Sequence, residues 1–588
     1  MAAFDYLQAL PRERTYLLPA LHLVHEHEGF LSPEGLTAVS RHLRVPNSEL
    51  YGIALSYSEF RTRPPAGVRV EVCTGLSCLL NGAADLKEGL TPALDGRGCE
   101  VRETHCRFLC NLAPVVAVEG TYVAPADGQS VAAAVIRPPL QPARPVSDPR
   151  PPEVRHLTAR FGKIDPRSIE DAVRSGSYKG LEIAREMLPG DITELVLASG
   201  LQGRGGAYFP AGRKWESARQ FPAPRYLVVN AEEGEPGVFK DRYLLEYDPH
   251  LVLEGILIAA RAIEAAHVFV YVNGEADVAA STLQRAIDEA AEAGLCQSAA
   301  HAPAFMPGSV PPNQSGAPHA PAFMPGSGAP DTRQPLVEIR RGAGGYVCGE
   351  ESVILSSIEG ERAVPRLRPP LPVERGLWGR PTVINNVETL ANLPSIIEYG
   401  VEVFRETGAP GHPGTKLISL SGAVRRPGLY EVPLGTTLRQ VLFDLGGGPR
   451  QGQTLRAALC GGPSGGLMPA SLFDTPLVGG ALDRGGAALG AGGIVAIDDS
   501  MPVADVVHHL AAYNAAESCG KCTPCREGAP RMRDLLAGLR DGTAPDDAIE
   551  LLDALDEAMA TASLCGLGQL APLPYRSARA HFLDELRG

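Results

Sequence analysis

Near its C-terminus the chain reads Glu517-Ser-Cys519-Gly-Lys-Cys522-Thr-Pro-Cys525-Arg-Glu-Gly528, and one more cysteine follows in Ser563-Leu-Cys565-Gly-Leu-Gly-Gln569. Three thiolates with two residues between neighbours can wrap one corner of a metal cluster, and a thiolate from a later segment can close the cage. Sulfur-only ligation suits an iron–sulfur cluster or zinc, and this spacing alone leaves both open. A second set bears on the choice: Cys73-Thr-Gly-Leu-Ser-Cys78 and Cys106-Arg-Phe-Leu-Cys110. Structural zinc more often uses tighter knuckles, whereas a four-residue gap joined to a three-residue gap fits a 2Fe–2S rhomb. Of the 12 cysteines, Cys99, Cys296, Cys348 and Cys460 follow no ligand spacing and read as small buried hydrophobes.

A different chemistry is written between residues 200 and 390. Gly203-Arg-Gly-Gly-Ala-Tyr-Phe-Pro-Ala-Gly-Arg-Lys214 is a glycine-rich turn with cations at Arg204 and Lys214. Glycines let backbone N–H groups approach a phosphate, and the cations can neutralise it. Asn230-Ala-Glu-Glu-Gly-Glu-Pro-Gly237 follows a strand pattern directly, and carboxylates at the C-terminal end of a strand in an open α/β sheet fall where ligands bind. Gly342-Ala-Gly-Gly-Tyr-Val-Cys-Gly-Glu-Glu351 is a second glycine-rich loop ending in two acids, and Asn385-Asn-Val-Glu-Thr389 adds amide and hydroxyl groups suited to a flavin ring or a phosphate. Each loop alone is compatible with a plain turn or a solvated surface. Together in one domain they describe a nucleotide-like cofactor site.

The elements that must hold these groups are legible in outline. Residues 4–60 carry a helical pattern, with a helix start at Ser32-Pro-Glu-Gly-Leu. Val68-Arg-Val-Glu-Val-Cys73 alternates as a strand leading into the first thiol, and a second strand at Pro114–Gly120 follows the last thiol of that set. Both cysteine pairs are therefore expected in loops at strand ends. Pro138–Val154 is a proline-rich linker. Tyr226–Asn230 and Val268–Asn273 are buried-strand runs flanking a long apolar helix, a β–α–β unit that implies a parallel sheet. Lys416–Gly422 and Gly428–Pro433 read as paired strands, with a helix expected over Thr437–Leu445; from Val503 the pattern is helical. His301-Ala-Pro-Ala-Phe-Met-Pro-Gly-Ser309 recurs as His319–Ser327, within a Pro/Gly-rich insertion over 297–333 that has no expected catalytic role.

Composition excludes some roles. The chain has 588 residues, enough for several domains, and its net charge of −14 argues against a nucleic-acid footprint. The most apolar stretch, Gly479–Ile497, is interrupted by Asp483 and Arg484, so no membrane span is expected. No basic region with an apolar core follows Met1, and thiols placed for metals indicate a reducing cytoplasm.

Residues 200–390 and 503–570 resemble the NADH-oxidising flavin subunit of respiratory complex I. The resemblance rests on Gly203-Arg-Gly-Gly-Ala, Phe209-Pro, Lys214-Trp, Asn230-Ala, Glu235-Pro-Gly, Phe239-Lys-Asp241, Pro249-His250, Tyr346–Glu351, Asn385-Asn386 and Cys519/522/525/565. Residues 1–140 are similar to the thioredoxin-like 2Fe–2S subunit that accompanies it. A fusion of the two is similar to the β subunit of cytoplasmic NAD-dependent formate dehydrogenases and to the diaphorase subunit of NAD-reducing hydrogenases. Leu10–Leu18, Gly461–Ser471 and Ala562–Gln569 look most like the formate dehydrogenase type.

This resemblance implies a multidomain α/β architecture. It comprises an N-terminal helical segment (1–64), a thioredoxin-like 2Fe–2S domain (65–140), a linker (141–154), a Rossmann-like FMN/NADH domain (155–410), a ubiquitin-like α+β module of the soluble-ligand-binding β-grasp type (411–500) and a C-terminal helical bundle with a 4Fe–4S cluster (501–588). It further implies that Gly203, Arg204, Gly205, Lys214, Asn230, Glu232, Tyr346, Asn385, Asn386 and Thr389 hold FMN. Phe209, Glu233, Glu235 and Glu351 would place NAD(H), with Glu235 orienting and no side chain acting as acid or base. Cys73, Cys78, Cys106 and Cys110 would hold the 2Fe–2S cluster, and Cys519, Cys522, Cys525 and Cys565 the 4Fe–4S cluster. The implied partner is a large catalytic subunit carrying a molybdenum or tungsten pterin and further iron–sulfur clusters. There are departures from the family pattern: Tyr208 replaces a usual Gly, Glu232 a usual Asp, Arg368 and Leu371 a Lys and an aromatic residue, and Ser217 lies near a position aromatic in some members.

Overall fold

The structure is a computed structural model that describes residues 4–64, 66–137, 139–299 and 334–586. The repeated His301–Ser309 motif lies outside the described residues. The chain forms two compact units: Met1–Pro64, Arg160–Gly234 and Asp241–Glu406 make the first, and Pro65–Ala159, Glu235–Lys240 and Thr407–Gly588 the second.

The first unit is built on a five-stranded sheet. Its order is Gln297–Ser298, Leu336–Arg341, Ala265–Val272, Arg225–Ala231, Thr382–Asn386, and every pairing is parallel. The expected β–α–β unit is present. Strand Arg225–Ala231 leads to helix Pro249–Ile263 and then to strand Ala265–Val272. Asp248 accepts a hydrogen bond from the Leu251 amide at 3.2 Å, starting that helix, and Pro249 at the first helical position needs no donor. Arg160 grips the same carboxylate bidentately at 2.8 and 2.9 Å. The first two residues of the expected insertion, Gln297 and Ser298, belong to this sheet as a short strand.

The N-terminal segment forms helices Leu17–Glu28, Pro33–Leu43 and Asn47–Ala54, with Leu17, Leu18, Leu21 and Val24 buried on one face. Ser32 caps the second by accepting from the Gly35 amide at 2.9 Å. These residues join the first unit: Thr15 Oγ1 donates to Ile358 O at 2.6 Å and Tyr57 Oη to Ser357 Oγ at 2.8 Å.

The second unit merges three segments that the sequence separates. A four-stranded sheet, ordered Cys99–Thr104, Val68–Cys73, Val116–Val118, Thr121–Val123, carries the N-terminal cysteines. A five-stranded sheet contains Thr415–Gly422 and Gly428–Pro433, paired as expected, and the pairing is antiparallel. Helices Val503–Ala516, Thr523–Arg540 and Ala548–Ala562 follow. One apolar core contains Leu76 and Leu80 of the first segment, Leu459, Leu467 and Val495 of the second, and Val506, Leu510 and Leu552 of the third. The helix expected over Thr437–Leu445 is shorter, Gln440–Leu445, and wide-turned: the Gly446 amide reaches back to Val441 O at 2.8 Å, five residues earlier. No helix among the described residues is long and apolar enough to cross a membrane.

Candidate functional site

Three of the four loops singled out in the sequence leave the C-terminal ends of the first unit's parallel strands, and the other, Gly203–Lys214, follows helix Pro189–Ser199. Asn230 is in register with Tyr271 on one side and Asn386 on the other, and Val272 with Arg341. Strand Arg225–Ala231 has its next strand on one flank and Thr382–Asn386, the last in sequence, on the other. The chain direction across the sheet therefore changes there. A crevice outside strand ends at such a reversal is where open α/β sheets bind ligands.

Main-chain bonds shape the first loop: the Gly203 amide donates to Phe209 O at 2.9 Å and the Ala211 amide to Leu201 O at 2.9 Å. Within it Arg204 is wholly buried and its amide donates to Thr389 Oγ1 at 2.8 Å, tying the loop to the start of the last strand's helix. A Cβ on Gly205 would lie 3.0 Å from Asn386 Cβ, so the loop passes against the asparagine pair with no room to spare. Asn385 accepts from Trp215 Nε1 at 2.9 Å, and Asn386 Nδ2 donates to Asp241 Oδ2 at 2.6 Å. Asn230 Nδ2 donates to Gly349 O at 2.9 Å, which joins the acidic loop to the second glycine-rich loop beside Tyr346.

Glu232 is the most unusual group in the crevice. It is fully buried, and Oε1 accepts from Asn273 Nδ2 at 3.2 Å. Oε2 is buried and has no hydrogen-bond partner among the described residues. It lies 2.8 Å from where a Cβ on Gly342 would be. Burial pushes its carboxyl up to about 8, against the opposing pull of the Arg242 charge and the Asn273 hydrogen bond. An orphaned buried oxygen beside a side-chain-free loop is what a site for a polar, flat ligand requires.

The expected nicotinamide residues divide. Phe209 is 51% exposed, an uncovered ring at the mouth of the first loop. Glu351 meets Lys214 Nζ at 3.4 Å and Arg368 Nη1 at 2.9 Å, and Arg368 also pairs with Glu350. The two acids and the two cations thus form one cluster, and the Lys-to-Arg departure at 368 is the cation that bridges both acids. The Glu233 side chain is only 2% exposed and is directed into the protein. It accepts from the Asp241 amide and, at 3.1 Å each, from the Arg242 amide and guanidinium. Glu233, expected at the nucleotide, thus also ties its loop to the start of helix Lys240–Tyr247. Glu235 belongs to the second unit, where its carboxylate packs against Gly462 and Gly490. Tyr208 has φ +53°, the left-handed region that the usual glycine adopts without strain.

In the second unit the parallel register of Val68–Cys73 with Cys99–Thr104 sets Cys73 opposite Thr104, two residues before Cys106. Cys78 sits on the short helix Leu76–Leu79 rather than in a loop. Cys106 Sγ and Cys110 Sγ are 3.5 Å apart, and the Phe108 amide donates to Cys106 Sγ at 3.3 Å. All four thiols are buried and line one small cavity with His105 and Tyr513. Hydrogen bonding to Cys106 and then burial hold the Cys110 thiol well above the ordinary thiol range. In the C-terminal set, Cys522 is the N-cap of helix Thr523–Arg540 and Cys525 lies in its first turn. Cys565 caps helix Gly566–Leu570, and a Cβ on Gly568 of that helix would lie 3.0 Å from Cys525 Cβ, so the two cysteine segments are in contact. Sulfur-only donor sets at both places fit iron–sulfur clusters. Cys296, Cys348 and Cys460 are buried, as expected, and Cys99 is half-buried.

Family models match this chain in order: thioredoxin-like [2Fe-2S] ferredoxin over 3–137, Nuo51 FMN-binding domain over 196–395, an SLBB domain over 417–468, and the NADH-ubiquinone oxidoreductase-F iron-sulfur binding region over 505–588. The F subunit of the NADH-quinone oxidoreductase of Aquifex aeolicus is 38% identical over 429 residues, 73% of this chain and 93% of that protein. The chain belongs to the family of NADH-quinone oxidoreductase F subunits. The HndC subunit of the NADP-reducing hydrogenase of Solidesulfovibrio fructosivorans is also 38% identical, over 74% of this chain and 83% of that one. A solved chain of an NAD+-reducing [NiFe]-hydrogenase in the H2-reduced state aligns with TM-score 0.80 at 31% identity, covering 98% of this chain and 93% of that one. As a member of this family, with a 2Fe–2S domain fused ahead of the flavin domain, the chain is an oxidoreductase subunit. Its cofactors are FMN with NAD(H), one 4Fe–4S cluster and one 2Fe–2S cluster.

Sequence reasoning assigned no role to Asn273, Asp241 or Trp215, which orient Glu232, Asn386 and Asn385. Asn273 was discoverable: it is the first residue beyond the strand Ala265–Val272, at the ligand-binding end of the sheet.

Proposed function

We propose that this chain is the NAD(H)/FMN diaphorase subunit of an NAD-dependent formate dehydrogenase, moving electrons between a nicotinamide and iron–sulfur clusters for a reaction that converts formate and NAD+ to CO2 and NADH. A bound flavin exchanges hydride with nicotinamides and single electrons with clusters, which is the conversion such a subunit needs. The observation that carries the reading is the strand-end crevice, in which the first glycine-rich loop is tied to Thr389, Asn230 to the second glycine-rich loop, and Glu232 Oε2 is buried beside Gly342 with no hydrogen-bond partner among the described residues.

The chain's own residues supply placement. Gly203, Gly205 and the buried Arg204 would hold the phosphate end of FMN, with Lys214 nearby. Asn230, Glu232, Tyr346, Asn385, Asn386 and Thr389 would hold the rest. The exposed Phe209 ring offers a stacking face for a nucleobase, and Glu351 an acceptor for a ribose. Glu235 is the proposed orienting residue for the nicotinamide. Cys73, Cys78, Cys106 and Cys110 would ligate the 2Fe–2S cluster, and Cys519, Cys522, Cys525 and Cys565 the 4Fe–4S cluster. The proposed partner is a large pterin-containing subunit with molybdenum or tungsten, in the cytoplasm.

A second reading has its own support: both HndC and the aligned structure are hydrogenase proteins, and the latter spans nearly this entire chain. The test is the native complex, purified anaerobically through a tag on this chain. Formate-driven NAD+ reduction together with NADH-driven viologen reduction is the expected result. Viologen reduction alone, with hydrogen replacing formate as the donor, would make the complex a hydrogenase. Neither activity in a complex holding FMN and full iron would remove the diaphorase reading itself.

A further inference from the structure

The N-terminal helical segment reaches the crevice from outside the flavin-binding sequence. The Glu59 amide donates to Ala343 O at 2.9 Å, inside the second glycine-rich loop. His22 Nε2 bonds Gly342 O at 2.8 Å. The Glu59 side chain fills the space left by two glycines. A Cβ on Gly274 would overlap its carboxylate, and a Cβ on Gly344 would lie 2.9 Å from its Cγ and 2.5 Å from Ser58 Oγ. Gly274 and Gly342 are themselves in contact, since a Cβ on Gly274 would be 2.6 Å from Gly342 O. Gly342 in turn borders Glu232 Oε2, and Asn273, beside Gly274, bonds Glu232 Oε1. Glu59 is therefore one layer of backbone away from the crevice's orphaned acid. Gly344 has φ +83°, a conformation that few side chains tolerate.

We propose that Glu59 is a positioning residue of the flavin pocket: wedged between the Asn273–Gly274 turn and the Gly342–Gly345 loop, it fixes the loop that borders Glu232. This rests on the reading of that crevice as the FMN site. The same wedge accounts for the first unit containing the N-terminal segment, which meets the flavin domain through Tyr57 and Ser357, and through Tyr271, whose hydroxyl bonds the same Ser357 Oγ at 2.8 Å.

The test uses the full chain as purified, with Glu59→Ala and Glu59→Gln. Both variants keep the main-chain bond to Ala343 O; the amide side chain, of the same shape, also keeps the steric contacts with the two glycines, and the methyl does not. Hydrogen exchange in a peptide covering 342–349 is expected to rise by about tenfold in Glu59→Ala and to stay within about twofold in Glu59→Gln. A peptide covering the strand Thr415–Gly422 is expected to be unchanged in both. Flavin release on dilution, followed by fluorescence, should speed by about fivefold in the alanine variant alone. Loop exchange equal to wild type in Glu59→Ala would overturn the proposal, and so would faster exchange in both peptides, which marks general loosening. A loosened loop with unchanged flavin release would also overturn it. A wild-type chain that holds no FMN would strike the flavin reading first and this proposal with it, an outcome visible before any variant is compared.

Discussion

At the scale of single residues, Glu232 carries the most information. An acid buried with one satisfied oxygen and one orphaned oxygen is held neutral up to about pH 8, where its ordinary value is 4.5. As a neutral group at pH 7 it offers a donor as well as acceptors. In the unfolded chain the proton leaves near the ordinary value, so between about 4.5 and 8 the folded state binds the extra proton. Stability contributed by this site is thus full at low pH and is lost as pH rises across that window. In the flavin-free chain, the denaturant midpoint should fall from about pH 5 to about pH 8 more steeply than in Glu232→Gln, whose amide has no proton to lose. Parallel pH profiles for the two proteins would show that the carboxyl is not held neutral. The sequence named this residue and its departure from Asp, but its neutrality depends on complete burial, which outweighs the opposing pull of Arg242 and Asn273, and none of this is local in sequence. The cysteines stand at the other extreme: their spacing already groups them into two sets, and the structure brings the segments of each set together. Glu233 shows the limit of reading a motif. It sits beside Glu232, and its carboxylate accepts from the Asp241 and Arg242 amides, contacts that the motif does not announce.

At the scale of elements, the sequence reveals the β–α–β unit because buried parallel strands are apolar runs of one length and helices of another. It does not reveal strand order, and strand order decides the site: only with Thr382–Asn386 beside Arg225–Ala231 do Asn230 and Asn386 become neighbours. Nor does it reveal that residues 4–64 pack with the strand Leu336–Arg341, more than 270 positions away. The linker is a similar case. Residues 139–154 contain no helix or strand, as the prolines predict, but the chain just beyond them is fastened by a buried acid on the strand Gly428–Pro433. Glu431 accepts from the amides of His156, Leu157 and Thr158 at 3.0 Å each, and from Thr158 Oγ1 and Thr415 Oγ1 at 2.9 and 2.7 Å. Glu431→Ala leaves these donors without an acceptor in the interior, at a cost of about 3 kcal/mol. The expected result is a melting midpoint lower by several degrees with iron content unchanged. A wild-type midpoint would mean that the linker end is fastened by something other than this carboxylate.

At the scale of the whole molecule, the second unit joins both cysteine sets in one core. Tyr513 meets His105 edge-to-face at 5.1 Å, so the helix leading to Cys519 also walls the cavity of Cys73, Cys78, Cys106 and Cys110. Two metal centres in one packed body raise the question of whether each forms by itself. The ligands argue that they do. The N-terminal thiols are all buried and are held by strand register, the Leu76–Leu79 helix and the Phe108 turn. The C-terminal thiols depend on the N-terminus of one helix and the cap of another. Cys522→Ala removes one ligand from the second set without touching the first or the strand-end crevice. Iron should fall from about six to about two atoms per chain, with the 2Fe–2S absorption and the flavin retained. NADH-driven reduction of a small acceptor that takes electrons directly from flavin should then persist, while partner-dependent turnover falls by at least about a hundredfold. Loss of all iron in this variant would show that the shared core, not the ligand set, governs assembly of the N-terminal cluster. Normal partner-dependent turnover with the iron lost would remove the C-terminal cluster from the electron path.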